Sequence, residues 1–150
     1  MTALTAGRAE RPFNLNRFIQ AQASIYGDVI AELSAGCKRS HWMWFVFPQI
    51  DGLGFSETTK RYSIKSLAEA RAYLAHPVLG ARLVECTRTV LALNGRTALE
   101  IFGRPDDMKL QSSMTLFAAI SPAASVFSDV LDKYFNGERD PRTTELIKIT

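Results

Sequence analysis

A chain of 150 residues with 47% hydrophobic and 22% charged side chains is long enough for one domain with its own core, and too apolar for general disorder. Its net charge of +3, with Lys and Arg spread along the chain, permits an anionic ligand but does not call for nucleic acid. The first residues carry no apolar signal-peptide core and no apolar run reaches the ~20 residues of a membrane span, so a soluble cytoplasmic protein with no membrane partner is expected.

Residues 1–12 are small, polar and charged and read as a flexible N-terminal arm. No repeat or low-complexity segment divides the remainder, so 13–150 is expected to be a single domain. Asn14 as N-cap starts a helix whose apolar face runs through Leu15, Phe18, Ile19, Ile25, Tyr26, Val29, Ile30 and Leu33, with Gly36 ending it. Gln22 falls on that face. A buried amide left without partners costs about 1–3 kcal/mol, so Gln22 must find them in the fold or in a ligand.

The next stretch, Lys38-Arg39-Ser40-His41-Trp42-Met43-Trp44-Phe45-Val46-Phe47-Pro48-Gln49, holds both tryptophans. Trp42 to Phe47 is apolar on every side, so periodicity does not separate strand from helix. Ser40 suits an N-cap, and no second convincing strand exists to pair with this one. A short, wholly buried helix ending near Pro48 is expected.

Ile50 to Phe55, with Gly52 and Gly54, reads as a loop. Ser56 caps a short helix through Tyr62. Ser66 caps another from Leu67 to Ala75, with Glu69 completing a capping box. Pro77 is placed at the first position of a helix bearing Leu79, Leu83, Cys86, Val90 and Leu93. Thr97 caps Ala98 to Phe102. Pro105-Asp106-Asp107 opens a central helix, Ser125 the next, and Asp140-Pro141 a last one through Ile149. The class is all-α, a compact domain of about eight helices around a buried aromatic element. Cys37 and Cys86 are expected as free thiols.

No Cys-x-x-Cys, His-Glu-x-x-His, phosphate-binding or dinucleotide glycine motif, or Gly-x-Ser-x-Gly elbow is present, so no metal site or cofactor is expected. Four groups carry what chemistry there is. His41 stands at the front of the aromatic element, where a helix N-terminus favours its neutral form as donor or base. Lys38 and Arg39 precede that N-terminus, and Lys60, Arg61 and Lys65 follow the glycine loop; together they can hold a phosphate, or be solvated surface. Asp106, Asp107, Lys109, Ser112 and Ser113 share one helix, with Ser113 on its apolar face. Trp42 and Trp44 can stack a base or sugar, or simply fill the core.

Phe13-Asn14-Leu15-x-Arg17-Phe18, the tryptophan stretch, Ile101-Phe102-Gly103 followed by Asp106-Asp107-x-Lys109-Leu110-x-Ser112-Ser113-Met114-Thr115-Leu116-Phe117, and Phe135-x-Gly137-x-x-Asp140-x-x-Thr143 resemble one bacterial family, domain of unknown function eighteen-ten. The resemblance covers roughly residues 12–147. It implies a compact all-α fold and no established reaction. Members have carried the label calpastatin, which suits flexible polar inhibitory segments and not a chain apolar enough to pack. Phe18-Ile19-Gln20-Ala21-Gln22 is also similar to the Gln-Ala-Gln helix of YbiA-like N-glycosidases acting on ADP-ribose derivatives; where those proteins carry a Lys, this chain has Ala23.

The first functional reading is a protein that binds a small anionic or nucleotide-like ligand in an inter-helix cleft. Gln22, Lys38, Arg39, Trp44, Lys109 and Ser113 are its ligand-binding candidates. If the protein is an ADP-ribose-type N-glycosidase, Asp107 and His41 are its catalytic candidates. The alternative is a non-enzymatic interaction module whose motif residues are structural and whose function lies on an exposed apolar patch.

Overall fold

The computed structural model describes residues 13–149, so the expected arm at 1–12 lies outside the described residues. The fold is all-α, with ten helices among the described residues: α1 (Asn16–Ala23), α2 (Tyr26–Ser34), α3 (Met43–Val46), α4 (Glu57–Tyr62), α5 (Leu67–Ala75), α6 (Leu79–Ala92), α7 (Ala98–Phe102), α8 (Asp106–Ala119), α9 (Val126–Phe135) and α10 (Pro141–Ile147). The one β-type contact among these residues is an isolated parallel bridge between Ile50 and Ile64. No helix among the described residues is long and apolar enough to cross a membrane.

The helix count exceeds the expected eight chiefly because the first helix is broken. Ser24 and Ile25 form a turn between α1 and α2. The two halves answer to different neighbours: α1 packs on α3, whereas α2 packs on α6. A single straight helix would not serve both. Asn14 is not the N-cap, because its φ of 50° is left-handed and a cap needs extended backbone. Its carbonyl instead accepts from Arg17 Nη1 at 2.9 Å.

Elsewhere the caps stand where small polar residues place them. Ser56, Ser66, Thr97, Ser125 and Asp140 each accept the backbone N–H three residues on. Thr97 and Glu100 form a full capping box. The box expected at Ser66 is only half made. Glu69 turns away, its Oε1 accepting from Lys65 N at 2.7 Å and its Oε2 pairing with Arg17 at 2.9 Å. Pro77 lies before α6 rather than in it: His76 Nδ1 accepts from Val78 N and Leu79 N, so the helix opens at Leu79. The last helix stops at Ile147, short of Ile149.

Helix α8 runs through the middle. Every residue from Ser112 to Ala118 is buried, so it carries no polar stripe, and α5, α7, α9 and α10 pack around it. One aromatic chain threads the core: Phe18 meets Tyr73 edge-on at 5.0 Å, Tyr73 meets Phe117 at 5.7 Å, and Phe117 meets Phe127 at 5.7 Å. Gly80 marks a close helix approach. A Cβ there would lie 1.9 Å from Leu74 O, so only glycine lets α6 lie against the end of α5.

Candidate functional site

The tryptophan stretch is held from three sides. Its helix, α3, spans only Met43–Val46, and Ser40 is not its cap; Trp42 holds the N-cap position without a side-chain bond. Ser40 is drawn elsewhere. Glu32, on α2, accepts from Arg39 N at 2.6 Å, Ser40 N at 2.9 Å, the Ser40 hydroxyl, and Trp42 Nε1 at 3.0 Å. Burial would raise the Glu32 pKa, but these four donors outweigh it and hold it down at about 2. The sequence gives Glu32 no mark. The available signal was the buried indole N–H of Trp42, which needs an acceptor.

Gln22 fixes the other end. Its Nε2 donates to Phe45 O at 2.6 Å and to Tyr73 Oη at 3.1 Å, and Tyr73 Oη donates to the same carbonyl at 3.3 Å. Arg82 Nη1 reaches Gln22 Oε1 at 3.4 Å. The amide that had to find partners finds them in α3, α5 and α6. Burial pushes the Tyr73 hydroxyl above its ordinary value, so it stays a donor.

The third side is the start of α8. Lys38 Nζ stands 2.8 Å from Asp106 Oδ2 and 4.9 Å from the Trp42 ring centroid. Lys109 Nζ stands 3.5 Å from Asp106 Oδ1 and 4.7 Å from the Trp44 centroid. One carboxylate thus links two ammonium groups, and each ammonium lies over a tryptophan. Asp106 is shared between the two ammonium groups, and Lys109, at 3.5 Å, is the more loosely paired of them.

Trp44 and Lys109 also line a cavity of about 80 Å³, walled further by Gln49, Leu53, Gly54, Thr59 and Tyr62. A Cβ at Gly54 would meet Thr59 Cγ2 at 2.9 Å, so a side chain there would push the Thr59 side chain aside. Tyr62 and Thr59 were not singled out from sequence, because α4 offers no motif. Their place follows from Ile64 N bonding to Gln49 O at 2.8 Å, which folds α4 back beside the tryptophan stretch. A second depression, of about 600 Å³, lies around Arg17, Arg61 and Lys65. Arg17 within it is already saturated by Arg61 O, Phe13 O, Asn14 O, Ser63 O and Glu69. A third depression, about 1050 Å³ and the largest of the three, runs along α6 and touches none of the motif residues.

The candidates therefore divide. Trp44 and Lys109 share a cavity, and Lys38 joins them through Asp106. Arg39 and His41 are exposed on the loop before α3. Asp107 is buried at 6% exposure; its Oδ2 accepts from Arg104 at 3.1 Å and its Oδ1 has no partner among the described residues. Ser113 is fully buried with its hydroxyl likewise unpartnered. Neither lines any of the three depressions. Among the described residues no group of three or more His, Cys, Asp or Glu is placed to hold a metal ion. Both cysteines are free, and burial pushes the Cys86 thiol up to about 12.

These features define an all-α protein with a cation-bearing aromatic cavity beside its central helix. The chain belongs to the family described as Protein of unknown function (DUF1810), whose model matches residues 12–147. It is similar to the conserved hypothetical protein Rv1873 from Mycobacterium tuberculosis, known from a crystal structure. The two share 55% sequence identity and superpose with a TM-score of 0.91, over 93% of this chain and 99% of that one. No curated protein matches.

Proposed function

We propose that the protein binds a small anionic, nucleotide-like ligand at the cavity between α3, the 49–54 loop, α4 and α8. The observation that carries this reading is Lys109, an ammonium held over the Trp44 ring at the wall of a small, partly open cavity, with Lys38 also drawing on the Asp106 carboxylate. The ammonium supplies charge to a phosphate or carboxylate, and the rings of Trp44 and Tyr62 supply a face for a base or sugar. At about 80 Å³ the cavity is well below the ~300–1,000 Å³ of a pocket for a whole drug-sized molecule. It takes one group of the ligand, and the remainder lies across its mouth.

A thermal-shift screen with nucleotides, ADP-ribose and sugar phosphates tests this, because a ligand of the native state raises the melting temperature. A hit is expected to weaken with Lys109→Ala and with Trp44→Ala. A hit unmoved by both variants places the ligand elsewhere.

The enzymatic version, an N-glycosidase acting on ADP-ribose derivatives, would use Asp107, whose Oδ1 has no partner among the described residues but which lines none of the three depressions, so the substrate would have to uncover it. Its test is release of the free base from such substrates. Asp107→Asn is expected to abolish turnover while sparing the thermal shift, and His41→Ala to slow it. No release by the wild-type protein would overturn the enzymatic version and leave binding standing. The non-enzymatic alternative draws on a different surface, the depression along α6.

A further inference from the structure

That depression is lined by a stripe of residues from α6 itself: Ala81, Val84, Glu85, Arg88, Thr89 and Ala92. Ala81, Glu85, Arg88 and Ala92 are exposed, and Val84 and Thr89 half-buried, at the spacing of one helix face. The stripe is complementary to its own reverse. Turned end for end, Ala81 meets Ala92, Val84 meets Thr89 of nearly the same branched shape, and Glu85 meets Arg88. Each pairing then occurs twice about a two-fold axis, as a contact between identical surfaces requires.

The charges are available for it. Glu85 and Arg88 stand three apart on one helix face, a spacing that often yields an ion pair within a chain. Here none forms. Glu85 Oε1 accepts from the Tyr26 hydroxyl, which fixes the carboxylate, and Arg88 has no ion-pair or hydrogen-bond partner for its guanidinium among the described residues. The two small residues at the ends let the helix axes approach closely. Beyond them, Leu74 of α5, which borders the N-terminal end of α6, would face Leu93 just past the C-terminal end of the other copy's α6, apolar against apolar.

From this we infer that α6 is the face on which two copies of the chain pair, antiparallel and two-fold symmetric, with Glu85 of each against Arg88 of the other. The inference stands apart from the ligand site, since no residue of the Trp44–Lys109 cavity lies on this stripe. One helix face buries less than the ~800 Å² per partner of a standard interface, so the dimer is weak and concentration-dependent.

Sedimentation at rising concentration tests it. Wild type is expected to move from 16.7 kDa toward twice that mass as it nears millimolar concentration. Glu85→Arg leaves only cations at the two central positions and Arg88→Glu only anions, so each variant alone is expected to stay monomeric. An equimolar mixture of the two restores opposite charges across the axis and is expected to dimerise at least as well as wild type. The mixture also guards against unfolding, because a variant that had lost its fold could not be rescued by mixing. Monomeric wild type at millimolar concentration would overturn the inference. So would a dimer that survives in either single variant, or a mixture that stays monomeric.

Discussion

Lys38 and Asp106 meet at 2.8 Å across the gap between the tryptophan stretch and α8, with the lysine side chain at 6% exposure and the aspartate at 19%. The pair does two things. It fastens the front of the aromatic stretch to the central helix, and it presents Asp106 to Lys109. Asp106→Asn removes the charge that compensates a nearly buried ammonium. Breaking a fully buried pair costs about 3–5 kcal/mol, and the partial exposure of Asp106 reduces this to about 2 kcal/mol. Urea unfolding of the variant measures it. The same change raises the local positive charge, so anion binding at Lys109 is expected to tighten in the variant even as its stability falls.

Gln22 is the fastening at the other end. Gln22→Met keeps the volume and removes the donor to Phe45 O and Tyr73 Oη. A loss of about 1–3 kcal/mol is expected, which for a domain of this size lowers the melting temperature by about 2–4 °C per kcal/mol. A melt of the variant without ligand reads this directly.

Glu32 gives the stability a pH dependence of known sign. Its folded pKa of about 2 lies below the ordinary 4.5, so the ionised form favours the fold. The contribution is fully present above about 4.5 and is lost as pH falls toward 2. Melting temperatures across that window are expected to fall with pH in the wild type, and to fall less steeply in Glu32→Gln. The variant is less stable than wild type at neutral pH, and the two curves draw together in acid.

Much of the fold was legible because it follows local rules. Capping residues at Ser56, Thr97, Ser125 and Asp140 open helices where small polar side chains stand before helical patterns. Positive-φ residues close them where Gly103 and Asn136 stand. The errors occur where tertiary demands override those rules. Ser40 has good cap chemistry and spends it on Glu32, and the first helix breaks at Ser24 to serve two neighbours.

Of the site, the tryptophans and the Asp106–Ser113 helix were visible as dense, specific motifs. Their grouping was not. Nothing in spacing says that Lys109 lies over Trp44, sixty-five positions away, which needs α8 set against the tryptophan stretch, or that Tyr62 closes the cavity beside them, which needs the loop from Gln49 to Ile64 folded back. Glu32 was invisible for a related reason: a glutamate on a helix surface looks solvated until the segment it receives is known.

The central claim is that Lys109 and Trp44 hold an anionic ligand. Titration of tryptophan emission with ADP-ribose, nucleotides and sugar phosphates tests it most directly. A saturable change is expected in the wild-type protein, lost in Trp44→Phe, and shifted to at least about tenfold higher ligand concentration in Lys109→Ala, the effect of losing one charge-assisted contact of about 1.5–3 kcal/mol. Saturable binding that Lys109→Ala leaves unchanged, or no saturation with any of these ligands, would contradict it.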